Sequence, residues 1–341
     1  MSNYLFYGSE RYTQAIMRPI STAIKARGDQ VAWFFNGPGM EDLHADDIIF
    51  TRVEQVLNWN PIAVITPNNM VPHFFPGIKV QTFHGFDAGK PRHIYIRGFF
   101  DLYCTTGPKD TSRFVTLANR LKHFHVVETG WPKLDYFFSQ LPTQIPPVKS
   151  PPRILYHSTF SPSWSAAEIL YPEVKRLSQT GEWKWIVTLH PKMNKETRSK
   201  FKDLENENLT FSETDNILEL FTEADLMCSD TSSALSEFLL TGKPVITFKN
   251  RRPGPQLIDI QKPEDFEPAI RKALTRPSEL MNAIARFGAE IHPARDGKSA
   301  ERVLDAINDF IIKGGKNPKN KPLNLWRKFK LRLAMGYWKF N

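Results

Sequence analysis

Cysteine is scarce in this chain of 341 residues, which has only Cys104 and Cys228. They lie far apart in sequence, each within an apolar run of strand type. A disulfide framework is therefore excluded, and buried free thiols in a reducing compartment are expected. Long apolar runs are missing too: no window approaches the roughly 18 residues of a membrane span. The opening segment MSNYLFYGSERY has no basic leader and reaches Glu10 and Arg11 at once, so no signal peptide is expected. No repeat with a period of roughly 20 to 50 residues is visible, which argues against a solenoid. The histidines lack ligand spacing, since His123-x-His125 has no third donor nearby; no metal and no cofactor is expected.

Acidic residues are absent from the C-terminal end. After Asp309 there is no Asp or Glu, while Lys313, Lys316, Lys319, Lys321, Arg327, Lys328, Lys330, Arg332 and Lys339 all follow it. These nine cations equal the whole net charge of +9, so the rest of the chain balances at 36 against 36. A neutral body with a basic, aromatic tail suggests a surface anchor and argues against a nucleic-acid track.

What is present is a sizeable core. Apolar residues make up 41% of the chain and charged residues 24%, enough at roughly 150 residues per domain for two globular domains. Strand-like runs at 3–8, 30–35, 61–67, 78–83, 101–106 and 125–128 alternate with helical spacing such as Ile16, Ile20, Ala23 and Ile24. The stretch LPTQIPPVKSPPR from Leu141 carries five prolines and reads as a linker. Beyond it the alternation restarts, with strands at 153–156, 183–189, 209–211, 224–228 and 244–248. Helices are expected at 166–180, 195–205, 217–222, 232–241, 263–273, 277–287 and 298–312. The fold class expected is α/β, two Rossmann-like open parallel-sheet domains over residues 1–145 and 146–312, followed by a tail over 313–341. Such sheets bind ligands at their strand carboxyl ends, here facing one cleft.

Four segments carry candidate chemistry. In KVQTFHGFDAGK, His84 follows a strand, with Asp87 and Lys90 close behind; an imidazole there can act as a general base, or simply be satisfied by a loop carbonyl. In WIVTLHPKM, His190 stands at a strand end with its backbone biased by Pro191, placed to donate to a phosphate or to cap the next helix. In EADLMCSDTSSALSEFLLTGKPVITF, a buried strand ends at Ser229-Asp230 and a helix begins within Thr231-Ser232-Ser233. Amides and hydroxyls at such a turn suit a diphosphate, and simple N-capping by Asp230 or Ser232 is the alternative. Glu237 on that helix would reach a ribose diol, or is a solvated helix residue. In VVETGWPKLDYF, Lys133 offers a cation to phosphate.

These motifs, in this order, resemble the CDP-glycerol glycerophosphotransferases that build teichoic-acid-like polymers. His84-Gly85 resembles the family's His-Gly-Thr-Pro turn, and Gly130-Trp131-Pro132-Lys133-Leu134-Asp135 its Gly-x-Pro-Arg-x-Asp. Ile154 to Phe160 is similar to Ile-Leu-Tyr-x-x-Thr-Phe, Leu189-His190-Pro191 to Leu-His-Pro, and Asp230 to Ser233 with Lys243 to Ile246 to Asp-Tyr-Ser-Ser and Lys-Pro-Val-Ile. The resemblance runs from about Lys79 to Phe248. It implies a GT-B architecture and a CDP-glycerol donor, with His84 activating an acceptor hydroxyl, His190 contacting the transferred phosphate, and Ser232 and Ser233 donating to the diphosphate. Asp230 would position that loop, and Glu237 stands where the family has an acidic residue. Phe86-Asp87-Ala88-Gly89 departs from Thr-Pro-Leu, and Lys133 replaces an arginine fork.

The tail NLWRKFKLRLAMGYWKFN gathers Leu325, Trp326, Phe329, Leu333, Tyr337 and Phe340 in one helical arc, with Leu331, Met335 and Trp338 on the other side. The arc suits an anionic membrane surface, and the alternative is packing against the body or a partner. The expectation is a bacterial transferase, cytoplasmic and peripheral on the inner face of the cell membrane. It would move glycerol phosphate, or a related polyol phosphate, onto a polymeric or lipid-linked acceptor for teichoic acid, capsule or another surface polysaccharide. A nucleotide-sugar glycosyltransferase, an epimerase and a non-catalytic nucleotide-binding protein remain as alternatives.

Overall fold

A computed structural model describes residues 1–86, 95–142, 144–214 and 216–339. The chain divides into two compact units, one of Met1–Gln140 with Glu290–Asn341 and one of Leu141–Ala289.

The first unit holds strands β1 (Asn3–Gly8), β2 (Gln30–Phe35), β3 (Ile48–Phe50), β4 (Ala63–Thr66), β5 (Ile78–Gln81), β6 (Leu102–Thr105) and β7 (His125–Glu128). They form one parallel sheet in the order β3-β2-β1-β4-β5-β6-β7. Leu5, Phe6, Ala32, Trp33, Val64 and Ile65 are all fully buried. Consecutive buried residues require cover on both faces, which is why these strands read as continuous apolar runs and not as alternations. The helix Thr13–Ala26 supplies part of that cover through Ile16, Met17, Ile20 and Ile24.

The second unit repeats the plan with β8 (Arg153–Ser158), β9 (Lys184–Leu189), β10 (Leu209–Phe211), β11 (Leu226–Ser229), β12 (Val245–Phe248) and β13 (Ile258–Ile260). Its parallel order is β10-β9-β8-β11-β12-β13. In both sheets the chain winds one way from the first strand and then reverses, between β1 and β4 and between β8 and β11. A crevice opens at the carboxyl ends of such a pair, and ligands bind there. The edge strands β3 and β13 have no counterpart in the sequence reading, because three residues show neither alternation nor a long apolar run. Both cysteines are free and buried.

The division differs from the expected one at its C-terminal side, where residues 290–341 return to the first unit instead of closing the second. The motif around Gly130 explains the return. Gly130 adopts φ +82°, and a Cβ there would meet Ser299 Oγ at 2.5 Å. The next amide, Trp131 N–H, donates to Nε2 of fully buried His292 at 2.8 Å. Burial pushes the His292 imidazole down to about 4, so the ring stays neutral and able to accept. Asp135 then accepts from Ser299 N–H at 2.9 Å and Ala300 N–H at 2.7 Å, satisfying two amides at the start of the helix Ser299–Ile312. That helix packs on Thr13–Ala26, and Arg27 reaches Asp305 at 2.7 Å.

The tail is anchored to the same unit. Lys321 Nζ donates to Asp101 Oδ2 at 2.6 Å and to Phe99 O at 3.0 Å. In and beyond the helix Leu325–Met335, Leu331 and Tyr337 join the core of the first unit, with Tyr337 4.8 Å from Phe74 between ring centroids. Leu325, Trp326, Phe329 and Leu333 stay exposed. The expected arc is therefore split: Tyr337 turns inward with Leu331 and Met335, and Phe340 lies outside the described residues.

Asp135→Ala should lower the stability of the first unit by about 2 kcal/mol, since it strands two buried amides at a helix start. Urea unfolding measures this, and an unchanged midpoint would show that the carboxylate does not hold the returning helix.

Candidate functional site

A polar cluster of the second unit sits where its sheet reverses. Asp230, directly after β11, is fully buried. Its carboxylate accepts from Ser158 Oγ at 2.5 Å, from Thr159 N–H at 3.1 Å and from Ala166 N–H at 3.0 Å. It thus ties the end of β8 and the loop 159–166 to the end of β11. It does not cap the helix Ala234–Leu239; Ser232 Oγ does the nearest thing, accepting from Ala234 N–H at 3.2 Å. Burial pushes the Asp230 carboxyl up to about 6 against the opposing pull of its donors, leaving it ionised at neutral pH.

A second loop closes on the same turn. Asn250 Nδ2 donates to Asp230 O at 2.8 Å, and Arg251 N–H donates to Thr231 Oγ1 at 3.2 Å. The Arg251 guanidinium lies 4.5 Å from the Trp164 ring centroid. Thr231 and Ser232 are half-buried and Ser233 is exposed, so their hydroxyls border solvent at the strand ends. Glu237, one turn into the helix, is buried and not a solvated helix residue.

His190 follows β9 and borders this cluster: its N–H donates to Ser158 O at 3.1 Å, and its ring lies 4.5 Å from that of Phe160. Its Nδ1 accepts from Lys192 N–H at 3.1 Å. An amide N–H can only donate, so Nδ1 carries the lone pair and the neutral ring bears its proton on Nε2. Burial, with Lys192 and Arg198 nearby, lowers the imidazole pKa and favours that neutral form. His190 is thereby a hydrogen-bond donor through Nε2 at neutral pH.

His84, in the first unit, has the opposite arrangement. It is exposed three residues past β5, and its Nδ1 lies 3.2 Å from Pro67 O. A carbonyl can only accept, so Nδ1 carries the proton and Nε2 the lone pair, the tautomer a base requires. The Tyr12 ring stacks on the imidazole with centroids 5.4 Å apart. Asp87 and Lys90 lie outside the described residues. Phe86 sets its ring edge against Trp131 at 5.2 Å, and Lys133 holds its ammonium 4.9 Å from the same indole. The His84 turn and the Lys133 turn are thus brought together. Lys133 is half-buried, and Asp135 in its motif serves the returning helix.

Sequence reasoning singled out His84, Lys133, His190, Asp230, Thr231, Ser232, Ser233 and Glu237. It missed Tyr12, Pro67 and Asn68 in the first unit and Ser158, Trp164, Asn250 and Arg251 in the second. Most of these stand just past a parallel strand, which was the available signal. Among the described residues no group of three or more His, Cys, Asp or Glu is placed to hold a metal ion.

Two parallel sheets of this order define an α/β fold of the GT-B type. Solved structures share the fold. The UDP-GlcNAc 2-epimerase from Neisseria meningitidis bound to UDP-GlcNAc matches with a TM-score of 0.63 and 11% identity, over 91% of this chain and 100% of that one. The wall teichoic acid polymerase TagF, also solved after soaking with CDPG, matches with a TM-score of 0.63 and 12% identity, over 92% of this chain and 90% of that one. The model of the CDP-glycerol:poly(glycerophosphate) glycerophosphotransferase family matches residues 84–309, and the chain belongs to that family. A teichoic acid ribitol-phosphate primase of Bacillus spizizenii (strain W23) is 22% identical over 251 residues, 65% of this chain. The chain spans 62% of the length of that curated relative.

The Asp230 carboxyl sets a pH dependence. A carboxyl whose pKa rises on folding, from 3.8 to about 6, favours the folded state most below its unfolded value, and that advantage is lost as pH rises through the folded one. Relative to Asp230→Asn, the wild type should lose about 2 kcal/mol of stability between pH 4 and pH 7. Urea unfolding at both pH values measures the gap, and a constant gap would contradict the shift.

Proposed function

We propose that this protein transfers glycerol phosphate, or a related polyol phosphate, from a CDP-activated donor to a hydroxyl of a teichoic-acid-type polymer or lipid-linked precursor. Family membership supports the reaction class. The observation that carries the mechanism is the pair of histidines with opposed tautomers, one suited to take a proton and one to donate a hydrogen bond.

In this reading the donor's diphosphate lies against the turn 230–233, where Ser232, Ser233 and Thr231 supply hydroxyls and Asp230 fixes the turn. Glu237 meets the ribose. The acceptor hydroxyl attacks the phosphorus that bears glycerol, and His84 Nε2 takes the hydroxyl proton. The bond from that phosphorus to the oxygen of CMP breaks. His190 Nε2–H and Lys133 neutralise the charge growing on the phosphates, so the charge is met by fixed donors with no covalent intermediate on the protein. Products are the acceptor's glycerol phosphodiester and CMP.

The tail suits a membrane role. Among the described residues no helix is long and apolar enough to cross a bilayer. Exposed Leu325, Trp326, Phe329 and Leu333 stand among Arg327, Lys328 and Lys330, an arrangement suited to the interface of an anionic membrane. Its inner residues belong to the core, so this face would be presented at a fixed angle and not on a loose tether.

His84→Ala should cut turnover of CDP-glycerol by roughly 10²- to 10⁴-fold while leaving the thermal stabilisation by CDP intact. Undiminished turnover would remove His84 from the base role. Stabilisation by UDP- or GDP-sugars in place of CDP-glycerol would hand the function to a glycosyltransferase or epimerase, and nucleotide binding with no turnover to a non-catalytic protein. For the tail, the triple substitution Trp326→Ser, Phe329→Ser and Leu333→Ser spares the buried Leu331 and Tyr337. It should abolish co-sedimentation with phosphatidylglycerol vesicles, and retained binding would place the anchor elsewhere.

A further inference from the structure

The hydrogen bond from His84 Nδ1 to Pro67 O selects a tautomer. A second contact bears on the face of the same ring. Tyr12, in the turn after β1, lays its ring over the imidazole with an interplanar angle of 26° and centroids 5.4 Å apart. Its hydroxyl donates to Asn68 Oδ1 at 3.3 Å.

Asn68 is itself held firmly. It is buried, its N–H donates to Thr66 Oγ1 at 3.0 Å, and its carbonyl accepts from Gln81 Nε2 at 3.1 Å. Gln81, the buried last residue of β5, also donates to Asn69 Oδ1 at 3.0 Å. The short turn 66–69 therefore grips Tyr12 by its hydroxyl through Asn68 and His84 by its Nδ1 through Pro67. Burial and the Glu10 charge push the Tyr12 phenol up to about 12, so it remains a protonated donor at working pH.

We propose that Tyr12 is a positioning residue for the transfer reaction, its stacked ring fixing the plane of the His84 imidazole so that Nε2 points at the acceptor hydroxyl. This rests on the reading of His84 as the base. Misplacing a reacting group by about 1 Å costs on the order of 100-fold in rate, so a ring that swings loses turnover without losing substrate binding. The aromatic face does most of the restraining, and the hydroxyl aligns that face.

The test compares wild type, Tyr12→Phe and Tyr12→Leu in steady-state turnover of CDP-glycerol, with thermal midpoints to confirm folding and the ¹⁵N imidazole spectrum of His84 to report its tautomer. Tyr12→Leu should lower kcat by roughly 10- to 100-fold with KM for the donor unchanged, and its His84 spectrum should show mixed tautomers. Tyr12→Phe should recover most of the loss and keep the single tautomer with its proton on Nδ1. Full kcat in Tyr12→Leu, or a His84 spectrum identical to wild type, would overturn the clamp. The two failures are separable. Normal turnover in His84→Ala removes the base itself, whereas an inactive His84→Ala beside a fully active Tyr12→Leu removes only the clamp.

Discussion

Parallel strands carry all their carboxyl ends to one edge of a sheet, and this chain is built on that constraint twice. In each unit the winding reverses beside the first strand, so the segments leaving neighbouring strands part and leave room for side chains to converge. In the second unit the buried Asp230 carboxylate uses that room, drawing donors from Ser158, Thr159 and Ala166 onto the end of β11. Burying a carboxylate is costly unless its oxygens are satisfied, and here the satisfied charge fixes the shape of the hydroxyl turn that follows. In the first unit the same edge carries Tyr12, Pro67 and His84 past three different strands.

The two histidines illustrate how backbone geometry assigns chemical roles. A carbonyl at Pro67 puts the proton on Nδ1 of His84, and an amide at Lys192 puts it on Nε2 of His190. The other nitrogen carries the lone pair in one ring and the proton in the other, a difference that depends on which backbone group the turn offers.

Much of this was legible in the sequence. Long buried runs such as Tyr4 to Tyr7 and Leu226 to Ser229 mark central parallel strands, and His84, His190 and Asp230 stand just past strand ends, as their sequence context indicates. The failures have physical causes. Ile48–Phe50 and Ile258–Ile260 are too short for a pattern. The return of residues 290–341 depends on contacts between Asp135 and Ser299 and between Trp131 and His292, separated by more than 150 residues, which local pattern does not report. Glu237 looks like a surface residue in sequence and is buried in the fold. The tail's apolar arc was readable as an arc, but which of its residues meet the core is decided by Phe74 and its neighbours, far away in the chain.

The reaction proposed for this protein breaks the bond between the transferred phosphorus and the oxygen of CMP. Chromatographic identification of the nucleotide released from CDP-glycerol by the purified protein, in the presence of a hydroxyl-bearing polymer precursor, decides whether it does. CMP, formed in step with new glycerol phosphodiester, is the expected product. Release of CDP, or loss of donor with no phosphodiester formed, would rule that reaction out.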